Sequence, residues 1–113
     1  MDRHDFSALF EQYPAVIADM PEVFTSHLFI QQLAQRNQAL YVEALHAYRD
    51  ATHRGTPAPF MMVHSVLARR LNAYPDLAGR LHDAPSCDIF GRPGECACWH
   101  RYRPQQDLLP GVQ

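Results

Sequence analysis

The chain contains no lysine: all ten of its positive residues are arginine. Twelve acidic residues leave a formal net charge of −2 with histidines neutral. That balance lacks the basic footprint that phosphate backbones require, and there is no acidic tail, so nucleic acid is not an expected partner. Arginine in place of lysine reads first as compositional bias. Arginines retained as anion-binding forks are the less economical reading.

Long apolar runs are also missing. No stretch approaches the roughly 18 apolar residues of a membrane span, so no membrane partner is expected. The opening MDRHDFSALF mixes charges and lacks the apolar centre of a signal peptide. Three cysteines cannot pair completely, so free or metal-bound thiols in a reducing cytoplasm are expected. There is no internal repeat, no low-complexity block and no alternating strand pattern of useful length. No nucleophile–base pair or phosphate-binding loop is visible, and catalysis is not expected.

What the chain does have is apolar content and helical periodicity. Its 113 residues are 47% apolar, which suits one globular domain. A chain of this size buries roughly two thirds of its unfolded surface. The longest periodic stretch is Thr25 to Ala51. Thr25 is a good N-cap, and Phe24 can staple onto Phe29. Phe29, Ile30, Leu33, Ala34, Leu40, Tyr41, Ala44, Leu45, Ala47 and Tyr48 share one broad face at about 100° per residue. Gly55, Pro57 and Pro59 predict a helix end near Ala51–Arg54.

The flanking segments read in the same way. Phe6, Leu9, Phe10 and Tyr13 predict a helix over 5–19, bent near Pro14. Phe60, Val63, Leu67, Leu71 and Tyr74 mark a helix over 60–73, and Met61, Met62 and Val66 suggest that it is enclosed. Pro75 to His82 reads as a short helix, with Leu77 and Leu81 four apart. From Asp83 the composition turns to Pro and Gly, which predicts turns. The segment ECACWHRY has few strand formers apart from Trp99 and Tyr102, and Glu95 suits a helix start, so helix is the reading adopted for 95–102.

Asn37 lies near the centre of the main apolar stripe. A buried amide without partners costs about 1–3 kcal/mol. It therefore bonds across to another segment, marks a break giving helices 26–36 and 38–52, or faces a ligand. The cross-segment bond is the reading adopted here, and the cluster Arg36-Asn37-Gln38 keeps the break open.

Three constellations could carry chemistry. Cys87, Cys96, Cys98 and His100 are zinc-ligand types, although C-x8-C-x-C-x-H is not a common zinc spacing. An extended 96–100 would point three of them to one side, whereas a helix would separate Cys98 from Cys96. Glu43, His46, Asp50 and His53 lie on one helix flank. Glu-x-x-His suggests a di-iron carboxylate site, but four glutamates and no second Glu-x-x-His cannot supply one. These residues read as a solvated polar face. Finally, 60–73 and 75–82 could form a helix-turn-helix, with Arg69, Arg70 and Arg80 nearby, though the second helix is thin for base recognition. His64 reads as a hydrogen-bonded core residue rather than a catalytic base.

The expected fold is all-α: a compact single domain of four or five helices over residues 1–103 around a long central helix, with an irregular cysteine-containing C-terminal segment and a loose tail at 104–113. The expected role is a non-enzymatic protein-interaction or regulatory module, binding a protein partner or a second copy as a homodimer. The alternatives are a small zinc-binding protein using Cys87, Cys96, Cys98 and His100, and a helix-turn-helix nucleic-acid binder.

Overall fold

The computed structural model describes residues 4–102. The expected tail at 104–113 lies outside them.

The first helical segment is two short helices, α1 (Ser7–Phe10) and α2 (Tyr13–Ala18). Pro14 stands in the first turn of α2, where its missing N–H is no loss. Strand β1 (Val23–Thr25) leads directly into α3 (Ser26–Arg36). The cap and staple form as the sequence indicates. Thr25 Oγ1 accepts from the Leu28 N–H at 3.1 Å, and the Phe24 and Phe29 ring centroids are 6.5 Å apart.

The single long helix is corrected to two. Asn37 leaves the helical region at φ −136° and ψ 54°, and α4 (Gln38–Ala47) begins at the next residue. The Asn37 amide is satisfied locally, Nδ2 donating to the Leu33 carbonyl at 3.0 Å. A short polar side chain offers the backbone this alternative to continued helix. The second helix also ends earlier than expected. Beyond it, β2 (Thr52–His53) pairs antiparallel with β3 (Thr56–Pro57). Arg54 and Gly55 turn this hairpin with φ of 54° and 80°, the two positive angles of a type I′ turn.

Helix α5 (Pro59–Arg70) and a 3-10 turn at Leu71–Ala73 follow. Val63, Leu67 and Leu71 are fully buried at four-residue spacing. Met61 and Met62 are exposed, so α5 is less enclosed than its sequence suggests.

The all-α expectation is overturned beyond α5, and the fold is α+β. Strands β4 (Ala78–Cys87) and β5 (Pro93–Arg101) form a long antiparallel hairpin, and β1 completes a sheet of order β1-β5-β4. The anticipated helices at 75–82 and 95–102 are absent. β5 is the central strand, so its backbone bonds on both sides, with Trp99 opposite Phe24 on β1 and Arg80 on β4. Those pairings are non-local, and strand preference depends on such context more than on residue type. Gly79 has its own role in β4. A Cβ there would collide with the Tyr102 phenol.

One core joins helices and sheet, built from residues including Leu9, Tyr13, Ile17, Phe29, Leu33, Val63, Leu67 and Trp99. Tyr13 is fully buried and donates to the Leu67 carbonyl at 2.7 Å. Trp99 Nε1 donates to the buried Ser26 hydroxyl at 2.9 Å, tying the sheet to the start of α3.

Candidate functional site

The β4–β5 hairpin turns through Asp88, Ile89, Phe90, Gly91 and Arg92. The Asp88 carboxylate Oδ1 accepts from the backbone N–H groups of Phe90 and Arg92, at 2.9 and 3.0 Å. Asp88 N also donates to the Arg92 carbonyl at 2.9 Å. These bonds, led by the one from Arg92, hold the Asp88 carboxyl below its usual range. Gly91 takes φ 82°, which a glycine adopts without strain.

This tip reaches the start of α5. The Phe90 ring meets Phe60 edge-on at 4.6 Å between centroids and lies parallel to His64 at 6.4 Å. Between the hairpin and helices α3 and α5 runs an open groove of about 680 Å³. Its lining includes Arg69, Arg80 and Arg92 against Asp83, Asp88 and Glu95. Three positive and three negative side chains leave it without net charge of either sign. Arg80 and Asp83 pair with each other at 2.9 Å.

His64 faces this groove, half-buried. Its Nε2 lies 2.6 Å from the Tyr41 hydroxyl on α4. Burial pushes the Tyr41 phenol up to about 12, so it keeps its proton near neutrality and can donate to the imidazole. A neutral ring accepting at Nε2 carries its own proton on Nδ1. Burial also holds the His64 pKa below its ordinary value; Asp88 opposes that effect and His27 adds to it. His27 on α3 sits across the groove, its Nδ1 3.0 Å from Ser86 Oγ on β4.

The candidate metal ligands lie on or beside the hairpin strands. β5 is extended, so Cys96, Cys98 and His100 alternate onto one face. Cys87 pairs with Pro93, whereas Cys96 pairs with Ala84. Alternation therefore turns Cys87 to the opposite face, roughly 10 Å along the strand from Cys96 at about 3.3 Å per residue. His100 Nε2 engages Glu22 at 3.2 Å, and Cys98 is buried. Among the described residues no three His, Cys, Asp or Glu side chains are grouped to hold a metal ion.

The flank Glu43, His46, Asp50, His53 is also divided. Glu43 and His46 are on α4, Asp50 follows the helix and His53 is in β2. All four are exposed, and His46 contacts Arg49 at 3.1 Å. The anticipated helix-turn-helix at 60–82 lacks its second helix, because Ala78 onward is strand.

Sequence reasoning missed Phe90 and the Tyr41–His64 pair. The cue for the tip was Asp88 followed by Gly91, a turn pattern inside a segment already read as irregular. Nothing in the sequence linked Tyr41 to His64, 23 residues on. Among the described residues no helix is long and apolar enough to cross a membrane. The chain matches no known family model, no curated protein and no solved structure.

Proposed function

We propose that the chain is a non-enzymatic protein-interaction module whose contact surface is formed by the start of α5 and the tip of the β4–β5 hairpin. One observation carries this reading: Phe60, Met61 and Phe90 border the same groove and are 42%, 42% and 55% exposed. Large apolar side chains clustered on a surface are characteristic of contact sites, whereas isolated ones are ordinary. Phenylalanine and methionine suit the centre of such a patch, with arginine and carboxylates at its rim. The partner is a protein surface with an apolar centre, a second copy of this chain included.

A photoreactive amino acid placed at Met61 tests the reading in cells of the source organism, with Glu43 on α4 as the exposed control. A discrete protein adduct at Met61 and none at Glu43 is the expected result. No adduct at Met61, or the same adducts from both positions, would overturn it.

Connectivity favours a second reading. The order α2, β1, α3, α5 and then a two-stranded hairpin whose last strand lies beside β1 resembles that of a winged helix-turn-helix, with α4 and the β2–β3 hairpin inserted between α3 and α5. By fold analogy alone, α5 and the hairpin tip would then approach nucleic acid. The balanced charge of the groove gives this reading little of the phosphate attraction that nonspecific binding needs. A mobility shift with duplex DNA that persists at physiological salt would establish it over the first.

A further inference from the structure

We propose that a second cavity, between α1 and the C-terminal end of α5, binds a small aromatic monocarboxylate on Arg70. The cavity is open and about 740 Å³, a size typical of small-molecule sites. Its lining shares only Arg69 with the groove beside the hairpin tip. The site therefore stands apart from the contact surface proposed above and does not depend on it.

Arg70 is held in place by aromatic rings. Its Cζ lies 4.4 Å from the Phe10 centroid and 5.4 Å from that of Tyr74. Its Nε donates to the Tyr74 hydroxyl at 3.3 Å, and that hydroxyl donates to the Phe10 carbonyl at 3.1 Å. With Nε engaged, the two Nη nitrogens are the donors left. Among the described residues no carboxylate forms an ion pair with Arg70. A guanidinium fixed over an aromatic face, with its terminal fork unpaired, suits bidentate capture of a carboxylate. Arginines in the last turn of a helix also complement its dipole. That accounts for the charge at Arg69 and Arg70, but not for the ring clamp or the cavity beside it.

The rest of the lining sets the class of ligand. Phe6, Phe10, Pro14, Tyr48 and Val66 give the cavity apolar walls. Phe6 and Phe10 stack at 5.7 Å between centroids, and Phe6 lies 6.2 Å from Tyr48. Such walls favour a flat ring. Asp5 and Glu11 also line the cavity. Asp5 Oδ1 is engaged by the Ser7 N–H and hydroxyl at 2.9 and 2.6 Å, and Glu11 is exposed. Two carboxylates beside Arg69 and Arg70 tolerate one added negative charge and oppose a second. A carboxylate is therefore favoured over a phosphate monoester.

The test is an amide-detected NMR titration of the full chain with benzoate, benzamide and phenyl phosphate as probes. Benzoate should saturate in the millimolar range and shift the amides of Phe10, Arg70 and Tyr74, leaving Met61 and Phe90 unmoved. Benzamide is flat but neutral and phenyl phosphate is largely dianionic near neutral pH, so each should bind about tenfold more weakly or worse. Arg70→Lys keeps the charge but loses the fork, and should weaken benzoate about tenfold. Glu11→Gln removes an opposing charge and should tighten benzoate about twofold. Both variants should keep the wild-type circular dichroism. No saturable benzoate binding, benzamide or phenyl phosphate binding as tightly as benzoate, or unchanged affinity in both variants would overturn the proposal.

Discussion

Ser26 is a buried polar side chain among the described residues, 3% exposed, and its hydroxyl accepts from the Trp99 indole N–H. Ser26→Ala leaves the indole N–H buried without an acceptor, a cost of about 1–3 kcal/mol. Urea denaturation followed through the single tryptophan should show the midpoint falling with the slope unchanged. Tyr13→Phe is the milder counterpart. It removes the hydroxyl that donates to the Leu67 carbonyl, and a loss of about 0.5–1.5 kcal/mol is expected by the same measurement. At this scale much of the molecule was legible in the sequence. Phe24, Thr25 and Phe29 sit where a cap and staple place them, because those interactions span only a few residues. Asn37 was recognisable as a polar residue in an apolar stripe. Which of its options prevailed was decided by a bond to Leu33, within its own helix, rather than across the core.

Elements were legible in proportion to how local their support is. Helix α5 reads directly from Val63, Leu67 and Leu71, which need only the helical period. β5 does not, because ECACWHRY has little intrinsic strand character and becomes a strand by pairing with β1, some seventy residues earlier, and with β4. The same holds for β4, whose Leu81, with Pro75 and Leu77 in the turn before the strand, imitates a short helix. The hairpin turn, by contrast, depends on one backbone angle. Gly91→Ala forces a side chain into φ 82° and should weaken the tip by about 1 kcal/mol. Hydrogen exchange should then rise at the Gly91 and Asp88 amides, which donate to Asp88 and Arg92 carbonyls, and stay unchanged at Trp99. The Asp88 turn also has a pH dependence of its own. Its carboxyl is held below the usual 3.8, so its support is complete above that value and is lost as pH falls through the lowered one.

For the whole molecule, helices and sheet share one core: Trp99 from β5 belongs to the same buried cluster as Phe29 and Leu33 from α3 and Val63 and Leu67 from α5. Far-ultraviolet ellipticity and tryptophan fluorescence should therefore report one coincident unfolding transition. Two separated transitions would mean that the sheet is an independent unit. The candidate surface emerges only at this scale. Phe60 and Met61 belong to one helix and Phe90 to a turn about thirty residues later, so no local pattern could have joined them. The most direct measurement is affinity capture from source-cell extract, comparing the full chain with a Met61→Ser/Phe90→Ser variant of matched circular dichroism. The account predicts a specific protein, or a second copy of the chain, retained by the wild type and lost from the variant. Identical retention by both, or no retained protein with either, would contradict it.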